Sequence, residues 1–137
     1  MQEKKAAGLT STAGYQVGVR RTFPISTEKA WELLTSDTGV KIWLGDTALP
    51  DIQKGQEYRT EAGISGEVRV VNPFVNLRLT WKRSNWTQPS TLQIRTISNG
   101  HDRTTISFHQ ENLHDSSVRE EMKLHWEEVL NRLKTLI

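Results

Sequence analysis

The sequence predicts an α+β domain in which an antiparallel sheet of about six strands curls around one long C-terminal helix, with two short helices after the first strand. Three observations carry this reading. From Arg103 to Phe108 apolar and polar residues alternate, and from Val118 onward the apolar period becomes helical. Between residues 57 and 111, short alternating runs follow one another, parted by Gly, Pro and Asn turns, as in a meander and not in βαβ units. An amphipathic helix must also lie on an apolar surface, and the rest of the chain is mostly strands.

Taken in order, residues 1–14 are small, polar and without period, and read as a flexible tail ahead of a domain spanning 15–137. Tyr15–Phe23 alternates, with Val17, Val19 and Phe23 on one side. Pro24 stops this strand, and Ser26 or Thr27 can cap a helix running to Ser36, with Ala30, Trp31, Leu33 and Leu34 on its apolar face. Asp37–Leu44 reads as a second short helix closed by Gly45.

Strands are then expected at Glu57–Ala62, Glu67–Val71, Asn76–Trp81, Thr91–Ile97 and Arg103–Glu111. By parity the inward residues are Tyr58, Thr60, Val68, Val70, Leu77, Leu79, Trp81, Leu92, Ile94, Ile106 and Phe108. Ser117-Val118-Arg119-Glu120 has the capping-box pattern and marks the start of the last helix, expected to run to Ile137. Its stripe comprises Val118, Met122, Trp126, Val129, Leu130, Leu133, Leu136 and Ile137.

Composition bounds the function. The 137 residues suit one domain, and the 35% hydrophobic and 25% charged content is that of a globular protein. No apolar run nears the ~20 residues of a bilayer span, and the N-terminus lacks an apolar signal-peptide core. There are no cysteines, which removes disulfides and thiolate chemistry and fits a cytoplasmic location. Net charge is +2, but the basic residues are spread out. Arg59, Arg69, Arg78 and Arg95 share a parity with Glu57, Glu61 and Glu67, as on a solvated sheet face; nucleic-acid binding lacks its clustered basic footprint.

The chain resembles single-domain members of the Hsp90-ATPase-activator-homologue-like family, within the START-like (SRPBCC) helix-grip superfamily. The resemblance runs from Tyr15 to Ile137 through RRTFPISTEKAWELLTS, KIWL, GEVRVVNP with LRLTW, RTTISFHQENL and HWEEVLNRLKTL. It matches the family's tryptophans to Trp31, Trp43 and Trp126. Two positions depart from the pattern: Asn112, where a Gly often follows the last strand, and His125, where a small residue often precedes the helix Trp. The resemblance implies a cavity between sheet and long helix but no fixed chemistry, since relatives include binders, cyclases and co-chaperone domains.

The expected function is therefore binding of an apolar, aromatic or lipid-like small molecule, without cofactor or metal. Trp81, Trp86, Phe108 and Met122 are expected as walls, alongside Trp43 and Trp126. Gln110 continues the inward parity of Phe108, and its amide needs either a ligand, a water or a loop backbone as partner. His125 borders the helix stripe, either as an acid/base or ligand contact or as a boundary residue bonded to water. Arg21 shares the parity of Val17 and either meets an anion or reaches solvent. His109, Glu111 and His114 form an H-x-E-x-x-H string whose histidines stand five apart, which does not suit a helical zinc site.

Two alternatives remain. One is a cyclase- or lyase-type enzyme using the same cavity, although no inward carboxylate pair supports it. The other is a module that contacts an Hsp90-like chaperone, as the family name implies.

Overall fold

The computed structural model describes residues 9–10, 14–47 and 52–137. Strand β1 (Leu9–Thr10) and strand β2 (Gly14–Phe23) lead into helices α1 (Thr27–Thr35) and α2 (Asp37–Trp43). Strands β3 (Glu57–Arg59), β4 (Ser65–Asn72), β5 (Asn76–Trp81), β6 (Ser90–Ser98) and β7 (Thr104–Leu113) follow, and helix α3 (Ser116–Lys134) ends the domain. The seven strands form one antiparallel sheet in the order β1-β2-β7-β6-β5-β4-β3. The two short helices carry the chain from β2 to the far edge, and the meander returns to pair β7 with β2.

The predicted architecture is present, with local differences. The seventh strand is the two-residue β1, which pairs with Gly14 and Tyr15 inside the stretch expected to be tail. The remainder of that expected tail, residues 1–8 and 11–13, lies outside the described residues. Strand β3 is shorter than expected because Thr60 leaves the ladder, bridging Thr47 and donating its N–H to the Ile64 carbonyl at 2.8 Å.

Local chemistry fixes the helices. Ser36 ends α1 and starts α2: its N–H donates to the Glu32 carbonyl (2.9 Å), and its Oγ accepts from the Gly39 N–H (3.0 Å). A Cβ on Gly39 would stand 1.7 Å from the Leu33 carbonyl oxygen, so the tight α1–α2 junction requires glycine. Trp43 then ties the pair together, its Nε1–H donating to the Leu34 carbonyl at 2.7 Å.

The N-cap of α3 is Asp115, whose Oδ1 accepts from the Val118 N–H at 2.7 Å, and not the capping-box Ser117. Arg119 anchors that first turn to β2 through Nε–H donated to the Gln16 carbonyl at 2.9 Å. The buried stripe is Met122, Trp126, Val129, Leu130 and Leu133. Leu136 and Ile137 were expected to continue it, but the helix ends at Lys134 and both are exposed.

Inward parity holds for every expected core position except Val70. A bulge between Val68 and Val70 shifts the β4–β5 register, so Val70 opposes outward Arg78 while Val71 opposes Leu77 and packs on the core. The outer face carries Arg59, Arg69, Arg78 and Arg95 with Glu57 and Glu67, the mixed charged surface that parity predicts, while Glu61 falls in the turn after β3.

Candidate ligand-binding site

The concave face of the sheet and the buried side of α3 meet in an aromatic cluster. Parity sends Trp81 of β5 and Phe108 of β7 inward, and Trp126 projects from α3 between them; all three are fully buried. Phe108 and Trp126 stack at 5.0 Å between ring centroids and 12° between planes. Trp81 is flanked by Trp86 at 5.3 Å, Trp126 at 5.9 Å and His125 at 6.0 Å. Met122, one turn before Trp126, is also fully buried.

Gln110 lies at the centre of a buried polar chain. The Trp126 Nε1–H donates to Gln110 Oε1 (2.7 Å), Gln110 Nε2–H donates to Ser90 Oγ (2.8 Å), and Ser90 Oγ–H donates to the Trp81 carbonyl (2.6 Å). The amide thus finds its partners in α3 and β6. Four elements are joined by three bonds, each between groups withdrawn from water.

His125 stands at the rim, its ring edge-on to Trp126 at 4.6 Å. Burial pushes its pKa down from 6.5 to about 4; Arg83 lowers it further, Glu121 opposes this, and Arg132 lowers it. The imidazole is neutral at pH 7. Arg83 lies over the Trp81 ring at 5.6 Å and pairs with Glu121 of α3 at 2.5 Å, so the 83–89 loop is fastened to the helix. Trp86 on that loop also meets His114 edge-on at 5.4 Å.

Two buried side-chain nitrogens of this cluster have no hydrogen-bond partner among the described residues: Trp81 Nε1 and His125 Nε2. Most buried polar groups in proteins are paired, and these two sit on neighbouring rings.

Of the nine candidate residues, the structure brings together Trp81, Trp86, Phe108, Gln110, Met122, His125 and Trp126. Arg21 and Trp43 stand apart. Arg21 opposes Ile106, four residues along β2 from the Val17–Gln110 pair and so roughly 13 Å away at ~3.3 Å per residue. It borders an open depression with Thr22, Asn99 and Thr105. Trp43 serves the α1–α2 junction.

The H-x-E-x-x-H string disperses: His109 bonds Gln16 at 2.9 Å, Glu111 faces Arg78 at 3.9 Å, and His114 packs on Trp86. Sequence reasoning missed Ser90, Arg83 and Glu121. Ser90 was legible, since it shares the inward parity of Leu92 and Ile94; the Arg83–Glu121 pair spans a loop and a helix and has no periodic signal.

The fully buried side chains of Trp81, Phe108, Met122 and Trp126 occupy the space between sheet and helix. Open depressions of 420–730 Å³ lie at the surface among the described residues, and the aromatic cluster lines none of these. One of them, about 620 Å³, has Lys54, Arg69 and Arg78 beside Glu67 and Glu111, so its charges largely neutralise one another.

Residues 24–137 match the family described as activator of Hsp90 ATPase homolog 1-like protein. The chain belongs to that family. Solved structures with the same fold include protein MLL2253 from Mesorhizobium loti, at 20% identity and TM-score 0.78, covering 88% of this chain and 95% of that one. DynU16, from the dynemicin biosynthetic locus, aligns at 21% identity and TM-score 0.76 over 88% of this chain; this chain spans 46% of DynU16. PFC0360w, named as an HSP90 activator from Plasmodium falciparum, aligns at 17% identity and TM-score 0.75, covering 88% of this chain and 94% of that one. At such identities the likeness shows the fold alone. No curated protein matches the sequence. Among the described residues, no helix of this activator-homolog-like domain is long and apolar enough to cross a membrane.

Proposed function

We propose that this domain binds a small, flat, largely apolar molecule at the aromatic end of the space between sheet and α3, entered by movement of the 83–89 loop. The observation that carries the reading is a continuous cluster of Trp81, Trp86, Phe108, His125 and Trp126, in which each ring has a neighbour at 4.6–6.0 Å, directly behind an exposed loop. Aromatic faces suit flat apolar ligands, and a few polar atoms set orientation. Because Trp86 fills the loop side of the cluster, binding requires it to swing out, breaking the Arg83–Glu121 pair and the contact with His114. DynU16, with a related fold, comes from a biosynthetic locus, which favours a small-molecule role over a purely structural one.

The test is native mass spectrometry and tryptophan-fluorescence titration with small aromatic probes, on wild type and Trp86→Ala. Wild type should bind weakly, and Trp86→Ala more tightly, because the indole that closes the site is gone. Absence of binding in both would overturn the proposal. A catalytic version finds less support: His125 is neutral at pH 7, and the acidic group beside it, Glu121, is paired with Arg83.

A second reading, contact with an Hsp90-like chaperone, draws on the family's name and on the exposed apolar tip Phe74–Val75, 47% and 53% exposed. Pull-down with such a chaperone, followed by an ATPase assay, tests it; no capture and no change in hydrolysis would remove it.

A further inference from the structure

Trp81 and His125 present an unusual pairing of unmet needs. The Trp81 indole is fully buried and its Nε1–H can only donate. His125 Nε2 is buried and unpartnered on a ring whose centroid lies 6.0 Å from that indole. Each unmade bond of this kind costs free energy that a bound group can recover. With the ring centroids 6.0 Å apart, one oxygen atom reaches both nitrogens at hydrogen-bond distance, ~2.9 Å, when the two nitrogens are turned toward the same point.

The chemistry of that oxygen follows from its neighbours. It must accept from the Trp81 N–H. Toward a neutral imidazole it must either donate to Nε2 or accept from it, according to tautomer. An un-ionised hydroxyl does both; an ether or ketone oxygen serves one tautomer only. A carboxylate would have to lose its hydration beside Glu121, whose charge already opposes another anion there, while the nearest cation, Arg83, is committed to Glu121. Beside the polar pair, Trp126 supplies an apolar wall, and the space that Trp86 vacates against Trp81 takes the rest of the molecule.

We infer that the ligand is a hydroxyl-bearing aromatic or polycyclic molecule whose hydroxyl bridges Trp81 Nε1 and His125 Nε2. This rests on the small-molecule reading and names its chemical class. An ordered water is the rival occupant of the same two bonds, and a ligand hydroxyl would take its place.

The experiment compares para-ethylphenol, para-ethylanisole and ethylbenzene, titrated into the full chain and followed through the tryptophan indole N–H resonances by heteronuclear NMR. The phenol is expected to bind about tenfold tighter than ethylbenzene, with the anisole between them, and to move the Trp81 indole resonance furthest. In His125→Phe and, independently, Trp81→Phe, ethylbenzene binding should persist, which certifies the fold, while the preference for the phenol falls toward parity. Equal binding of phenol and ethylbenzene by wild type would overturn the hydroxyl assignment and leave the apolar site standing. A phenol preference that survives both substitutions would overturn it as well. No response to any of the three compounds would overturn the assignment together with the binding reading beneath it.

Discussion

Trp126 of α3 donates its indole N–H to the side-chain oxygen of Gln110 on β7 over 2.7 Å, and both side chains are fully buried. A polar amide thus holds the long helix to the sheet at the centre of an otherwise apolar core. Gln110→Met keeps the approximate volume but leaves the Trp126 N–H and the Ser90 hydroxyl short of a partner. It should destabilise the fold by about 2–3 kcal/mol, at the upper end of the range for an unmet buried donor. In a double-mutant cycle with Trp126→Phe, urea denaturation should show a coupling of about 1–2 kcal/mol. A near-neutral Gln110→Met would mean that the bond holds nothing in place.

The depressed pKa of His125 makes stability depend on pH in a defined window. In the unfolded chain the imidazole takes a proton near pH 6.5; in the native protein burial and Arg83 delay this to about pH 4. Between those values the unfolded state holds more protons, so stability is fully present above pH 6.5 and is lost progressively as pH falls toward 4. Urea midpoints for wild type should therefore drop on going from about pH 7.5 to about pH 5 by more than those of His125→Phe, which lacks the group. Equal drops would show that the ring is accessible to protons in the native state, and an NMR titration of His125 would then place its midpoint near 6.5.

Periodicity made the architecture readable because the two repeats, near 2 and near 3.6, differ strongly and each was sustained over several residues. It failed where a single residue breaks the count. Val70 was expected inward and is turned outward by a bulge, which alternation alone does not reveal. Leu136 and Ile137 continue the helical pattern past the point where the helix stops. Gln110 was correctly placed on the inward parity, yet its partners lie on β6 and α3, and contacts between distant segments leave no mark in local sequence. The same holds for the Arg83–Glu121 pair, separated by 38 positions.

Competition between two caps gives a direct comparison. Ser117 has the better sequence pattern, but Asp115 occupies the extended cap conformation and bonds the Val118 N–H. Asp115→Ala should cost about 1 kcal/mol of stability. Ser117→Ala should change it by no more than about 0.5 kcal/mol, as for an exposed residue without a special role. Thermal unfolding of the two variants decides between the caps; the reverse ranking would restore the capping box.

Asn112 shows how the last strand ends. Tyr15 opposes Leu113 while Val17 opposes Gln110, so two steps along β2 match three along β7. The extra residue lets both Gln110 and Leu113 face the core, 0% and 1% exposed, although they are an odd number of positions apart. Asn112 adopts φ +65° in this bulge, opposite Gly14, itself at φ +65°. Asn tolerates that left-handed conformation through its short polar side chain, and Gly does so freely. Asn112→Gly should stay within about 1 kcal/mol of wild type, whereas the β-branched Asn112→Val should lose about 1–2 kcal/mol. Because the bulge begins directly after Gln110, the valine variant should also broaden or shift the Trp126 indole N–H resonance. If valine were tolerated as well as glycine, the bulge would not depend on the left-handed residue.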